Sequence, residues 1–252
     1  MMYFPDKKVH YPPEERGLVK EEVHFKSKNG ETLHGWFFPA SKPKGTVVQF
    51  HGNGQNLTAH YLTLTWIVDE GYSVFVFDYQ GYGESTGVAT PENTYYDGLA
   101  ALNAGWMLHK RKSNGKFIVY GQSMGVPIAL RAAEKDTRID LVVADSGFLS
   151  YKAIFSQTLS RNWLTFIVSW IPYLTVSNEY APNIENITVP LLVIHDRYDG
   201  TVKFNNGEEI FKQAKNSKRK SFWILENGYH IATFFVENKV YRKKFLDYLR
   251  SN

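Results

Sequence analysis

The chain has 252 residues, 43% of them hydrophobic and 21% charged, with a formal net charge of +4 and no cysteine. This suits one globular unit with a sizeable core, and it excludes disulfides, thiolate metal sites and a cysteine nucleophile. The densest basic runs, Lys218-Arg219-Lys220 and Arg242-Lys243-Lys244, read as a loop and a solvated helix face, so no nucleic-acid partner is expected.

The start, Met1-Met2-Tyr3-Phe4-Pro5-Asp6-Lys7-Lys8, lacks the apolar centre of a signal peptide. No run of about 18 apolar residues occurs that could cross a membrane. A cytoplasmic protein is expected. Strand-like runs at 22–27 and 33–38 flank Asn29-Gly30, a hairpin turn signal. The later runs, 46–50, 73–77, 117–120, 141–144, 191–194 and 221–225, are almost continuously apolar, as parallel strands covered on both faces are. Helical patterns separate them at 58–70, 126–134, 205–214 and 238–249. Another opens at Thr90-Pro91-Glu92, an N-cap with proline at the first helical position and an acid in the first turn, and runs to 110. The pattern predicts an α/β fold: a mostly parallel eight-stranded sheet with helices on both faces, residues 1–252 forming one domain.

Residues 148–187 break the rhythm with an aromatic and aliphatic connection between the sixth and seventh strands. A connection of that length inside a domain is usually functional. It reads either as helices packing on the core edge or as a cap presenting apolar groups to a substrate. Phe148, Phe155, Trp163 and Trp170 are the candidate pocket residues. Residues 164–176 could instead lie at a membrane surface, although covering a pocket explains them equally well.

Gly121-Gln122-Ser123-Met124-Gly125 reads G-x-S-x-G between an apolar β-branched run and a helical one. Strand, sharp turn and helix make a nucleophile elbow. The turn strains Ser123 and exposes its hydroxyl, and the glycines remove Cβ atoms that would collide. A serine hydroxyl is a weak nucleophile at neutral pH and needs a base oriented by a third group. In elbow folds these follow in the order Ser, Asp or Glu, His. Asp199 stands in the loop past strand 191–194, and His230 in the loop after strand 221–225. Both fall outside the carboxyl ends of strands, where catalytic groups of open α/β sheets gather. Asp145 and Asp196 are alternatives for the acid. His195, at a strand end, suits packing or capping better than catalysis.

An oxyanion needs preorganised N–H donors. The backbone N–H of Met124 is one candidate. The loop His51-Gly52-Asn53-Gly54-Gln55-Asn56 offers a second, that of Asn53. The glycine-rich stretch Phe77-Asp78-Tyr79-Gln80-Gly81-Tyr82-Gly83-Glu84-Ser85 lacks G-x-G-x-x-G and a P-loop lysine. It reads as a structural turn beside the site, with Asp78 bonding loop backbone.

In order, His51-Gly52-Asn53-Gly54, the 78–85 loop, the Ser123 elbow, the Asp199 loop and Gly228-Tyr229-His230 resemble the α/β-hydrolase superfamily. Within it they look most like the BEM46-like, or abhydrolase-domain, serine hydrolases. The resemblance covers the chain from about residue 22 onward. It implies an esterase, lipase, thioesterase or acyl-transfer enzyme that forms an acyl-enzyme and uses no metal or organic cofactor. The expected substrate is a small apolar acyl ester. A serine peptidase is the alternative. A silent binding protein is disfavoured by the intact serine, histidine and glycines. Many members carry an N-terminal membrane anchor, and such a segment ahead of this sequence would make the protein membrane-anchored. Two departures stand out. Gln80 stands where the family often has Arg, so no ion pair is expected there. Val126-Pro127 follows the elbow where a second glycine is common. Proline is tolerated in a first helical turn, and Val126 is expected to alter strand–helix packing.

Overall fold

Eight strands form one sheet: β1 (Glu21–Lys26), β2 (Thr32–Phe38), β3 (Gly45–Phe50), β4 (Tyr72–Phe77), β5 (Lys116–Gln122), β6 (Leu141–Asp145), β7 (Leu191–Asp196) and β8 (Lys220–Leu225). The structure is a computed structural model that describes residues 3–235 and 240–251. The strand order is β1-β2-β4-β3-β5-β6-β7-β8. Only β2 runs against its neighbours, pairing antiparallel with β1 and β4. The pairs from β4 through β8 are parallel. The β1–β2 hairpin turns where Asn29-Gly30 predicts it.

Alternate residues of a strand point to opposite faces, and both faces of this sheet are covered. Val48, Phe50, Phe75, Phe77, Phe117 and Val119 meet α2 (Pro91–Lys112) and α3 (Gly125–Ala133) on one side. Val47, Val74, Val76, Ile118 and Tyr120 meet residues 57–67 and α8 (Val240–Ser251) on the other. That is why the central strands read as unbroken apolar runs. Thr90 caps α2 through its side chain, which accepts from the Asn93 N–H, and Pro91 follows at the first helical position. Helix α7 (Asn205–Gln213) lies between β7 and β8 in the chain. Residues 238 and 239, the expected start of the last helix, lie outside the described residues.

The expected helix over 58–70 is a short α1 (Leu57–His60) followed by 3-10 turns, Tyr61–Thr63 and Thr65–Ile67. The reason lies in the spacing of its buried groups. Tyr61, Leu64 and Ile67 recur every three residues and are fully buried. A 3-10 helix repeats every three residues and aligns such a stripe, whereas an α-helix would rotate it off the sheet.

The connection 148–187 folds into α4 (Tyr151–Leu159), α5 (Trp163–Phe166), α6 (Pro172–Thr175) and a 3-10 turn at Ile184–Asn186. Phe148 and Tyr151 pack with Val202 in a small cluster of their own. The stretch beyond them turns outward. Trp163 is 81% exposed, Ile167 74% and Trp170 58%. Among the described residues no helix is long and apolar enough to cross a membrane.

Candidate active site

Strand β5 ends at Gln122 and α3 begins at Gly125, leaving two residues for the reversal. Ser123 takes φ +50°, the left-handed conformation that costs a non-glycine residue energy. The glycines around it are sterically required. A Cβ on Gly125 would come within 2.1 Å of the Phe50 carbonyl oxygen, and one on Gly121 within 2.8 Å of Val126 Cα. Val126 itself is fully buried. Its room comes from the strand next door, since a Cβ on Gly147 would fall 2.2 Å from Val126 Cβ. The glycine missing after the elbow is thus matched by one after β6.

The three residues expected to act together are brought together. His230 Nε2 lies 2.9 Å from Ser123 Oγ, and His230 Nδ1 lies 2.6 Å from Asp199 Oδ2. Asp199 is buried, and its other oxygen accepts the backbone N–H groups of Thr201 (2.7 Å) and Val202 (3.0 Å). Burial works to raise the Asp199 carboxyl. The hydrogen bond and charge of His230, with the two backbone donors, outweigh it and hold the group below the usual carboxylate range.

The alternative residues do other work. Asp196 accepts from the backbone N–H groups of Tyr198 (2.8 Å), Asn227 (2.7 Å) and Gly228 (3.0 Å), pinning the loop that leads to His230. Asp145 is fully buried, and burial pushes its carboxyl up. It accepts from the hydroxyls of Tyr120 (2.6 Å), Ser146 (3.0 Å) and Thr233 (3.2 Å). His195 Nε2 lies 2.9 Å from the Val202 carbonyl oxygen and braces the Asp199 loop from beneath.

The loop after β3 lies against the serine: a Cβ on Gly52 would be 3.5 Å from Ser123 Cβ. Gly54 (φ +79°) and Gln55 (φ +57°) turn that loop. The Asn53 loop and Met124 are therefore both neighbours of Ser123. The side chain of Asn53 accepts from the Phe4 N–H (2.9 Å) and the Tyr82 hydroxyl (2.7 Å). Tyr82 Oη also lies 3.8 Å from Met124 Sδ. Asp78 accepts the Leu57 N–H at 2.7 Å, the loop-backbone role expected of it. Gln80 makes no ion pair. It donates from Nε2 to Asp97 Oδ1 at 2.7 Å and from its backbone to Oδ2 at 2.8 Å.

Sequence reasoning missed two contributors. Tyr82 reads as part of a turn, but its hydroxyl contacts both Asn53 and Met124. The N-terminal segment carries no sequence signal for a role, yet it straps the Asn53 loop: the Asp6 N–H donates to the Gln55 carbonyl at 3.3 Å, and Asn56 Nδ2 donates to Asp6 Oδ1 at 2.7 Å. Neither has a motif; each acts through a contact far away in the chain. Of the four expected pocket residues, Phe148 is buried beside Val202, next to the Asp199 loop, and Phe155 is partly buried on α4. Trp163 and Trp170 face solvent.

Residues 41–184 match the family described as serine aminopeptidase, S33. The chain is 30% identical over 99% of its length to the uncharacterized protein YfhR of Escherichia coli, covering 86% of that protein. It is 25% identical over 68% of its length to the lysophosphatidylserine lipase ABHD12 of Rattus norvegicus, covering 46% of it. The Pyrococcus furiosus esterase Pf2001 superposes with a TM-score of 0.76 at 23% identity, over 99% of this chain and 97% of that one. That likeness has the same fold as its content. With a matching family over more than half its length, this hydrolase belongs to the serine aminopeptidase, S33, family of the α/β-hydrolase superfamily.

Proposed function

We propose that the chain hydrolyses carboxylic acyl esters or thioesters through Ser123, His230 and Asp199. The observation that carries this is the unbroken path from Ser123 Oγ through both ring nitrogens of His230 to Asp199 Oδ2, at 2.9 and 2.6 Å. Ser123 Oγ attacks the acyl carbon while His230 Nε2 takes its proton. Asp199, held ionised, fixes the tautomer with hydrogen on Nδ1 and stabilises the imidazolium that forms. The backbone N–H groups of Asn53 and Met124 receive the oxyanion. His230 then returns the proton to the leaving alcohol or thiol, and the acyl group stays on Ser123. A water that gives its proton to His230 cleaves the acyl-enzyme and restores the serine. No step calls for a cofactor.

Residues 148–187 act as a cap within a single domain, with Phe148 on its inner side beside the site. A small apolar acyl ester fits that placement, and the lipase among the relatives supports it. Trp163 and Trp170 contribute to such a pocket only if the cap moves, because both face away in this conformation.

A peptidase reading is favoured by the family description. An aminopeptidase needs an anion for the free α-ammonium group of its substrate. Three carboxylates at the ends of β6 and β7 and in the loop beyond are already engaged: Asp199 with His230, Asp196 with backbone, Asp145 with three hydroxyls. The ester reading is therefore preferred. The test is hydrolysis of p-nitrophenyl esters of short, medium and long acyl chains beside aminoacyl p-nitroanilides, with Ser123→Ala as control. Ester turnover lost in the variant supports the proposal. Turnover confined to the anilides would replace it with the peptidase reading.

A further inference from the structure

Away from the serine, the β1–β2 hairpin meets the 78–85 loop at a cluster the hydrolytic chemistry does not use. His24 and His34 sit directly opposite each other in the antiparallel register, so both side chains lie on one face. Their ring centroids are 5.1 Å apart. Glu84 reaches them from the loop. One ligand atom from each of His24, His34 and Glu84 lies within 4.8 Å of the others.

Two features distinguish this group from a chance gathering of polar side chains. His34 is 3% exposed, and its Nδ1 is buried with no hydrogen-bond partner. A buried imidazole nitrogen without a partner costs stability unless something binds it. Its other nitrogen, Nε2, is 2.5 Å from Glu22 Oε2. Glu22 is also ion-paired to Lys20, so it is a carboxylate that takes the Nε2 hydrogen. In the neutral imidazole that bond leaves a bare lone pair on Nδ1. A carboxylate on the far nitrogen of a histidine is the arrangement that orients metal-binding imidazoles and raises their basicity.

We propose that His24, His34 and Glu84 form a binding site for one divalent transition-metal ion of the zinc class, with Glu22 orienting His34 from behind. Two imidazoles and a carboxylate suit that class better than calcium or magnesium, which prefer all-oxygen sets. Ligand atoms around tetrahedral zinc at about 2.0–2.1 Å from the ion stand closer together than 4.8 Å. The exposed His24 and Glu84 side chains close that gap by rotation, with His34 as the fixed point. The fourth position stays with water. Backbone contacts already hold the ligands in register: the His34 N–H donates to Ser85 Oγ at 3.0 Å, and the Asp78 N–H donates to the His34 carbonyl at 2.9 Å. The ion would staple the hairpin to the loop that carries Asp78 and, through it, the start of the segment after Asn53.

The test uses the full chain, stripped with a chelator and titrated with Zn²⁺ by calorimetry, with thermal unfolding measured in parallel. The expected result is one Zn²⁺ per chain and a thermal midpoint raised by at least about 5 °C at saturation. His24→Asn and Glu84→Gln are exposed positions that leave folding intact, and each should weaken binding at least tenfold. Glu22→Gln should weaken it by about 10–100-fold, the usual cost of losing such an orienting carboxylate. Zn²⁺ binding that is absent, or equally tight in wild type and in the His24→Asn/Glu84→Gln double variant, overturns the proposal. The second result would place the ion elsewhere on the chain.

Discussion

The Tyr82 hydroxyl donates to Asn53 Oδ1 at 2.7 Å and lies 3.8 Å from Met124 Sδ, so one phenol bridges the loop after β3 and the residue that follows Ser123. On the proposed mechanism Tyr82 is a positioning residue, holding the loop whose Asn53 N–H would receive the oxyanion. Tyr82→Phe keeps the ring in its buried slot and removes the hydroxyl's contacts with Asn53 and Met124. Its kcat for ester hydrolysis should fall by about tenfold, equivalent to roughly 1.4 kcal/mol of transition-state stabilisation, with little change in KM. A role in substrate binding alone would move KM instead.

Asp145 is the last residue of β6 and Asp199 lies in the loop after β7, and the proposed mechanism distinguishes them. Asp199→Asn loses the acceptor that orients His230 and should lower kcat by roughly 10³–10⁴, the usual scale for this change. Asp145→Asn keeps an acceptor for the Tyr120 and Thr233 hydroxyls and should cost less than about tenfold. Equal losses in steady-state assays of the two variants would contradict the assignment of the acid.

His60 is buried against the loop after β3, stacked on His51 and bonded to the Gly54 carbonyl oxygen at 3.2 Å. Burial, reinforced by the neighbouring His51, pushes its pKa down from 6.5 to about 3. The folded form therefore binds fewer protons than the unfolded chain between those two values. His60 contributes full stability above pH 6.5, and that contribution shrinks as pH falls, by up to about 1.4 kcal/mol per pH unit. Asp145 and Asp97, raised by burial, act with the opposite sign at the acidic end. The informative quantity is thus the difference between wild type and His60→Gln. Urea unfolding between pH 5 and 7 should show a steeper acid loss in wild type, and parallel curves would exclude this role for His60.

Gly147 and Val126 share one volume. Gly147→Ala places a methyl group 2.2 Å from Val126 Cβ and should destabilise the fold by about 3 kcal/mol, at the upper end for overpacking. Adding Val126→Gly should restore part of that loss, with a favourable coupling of about 1–3 kcal/mol in a double-mutant cycle of unfolding free energies. Simple additivity would mean the two positions do not compete for space.

The features legible in the sequence are those whose physics is local. Apolar runs such as 46–50 and 117–120 announce buried parallel strands because burial on both faces leaves no polar alternation. Ser123 announces itself because an elbow needs glycine on either side. The grouping of Asp199 and His230 with it followed from chain order and strand ends. What stayed hidden depends on facing or on distance. The composition of residues 163–174 is the same whether the aromatics look inward or outward, and here Trp163 and Trp170 look outward. Tyr82, the strap at Asp6, and the meeting of His24, His34 and Glu84 are long-range contacts that no spacing encodes. The helix expected over 58–70 failed because its apolar stripe has period three.

Ser123 and His230 are 107 positions apart in the chain. A ribosome adding about 5–20 residues per second needs roughly 5–20 s to travel between them. On the proposed mechanism, the elbow is therefore synthesised seconds before His230, the base that would take the serine proton.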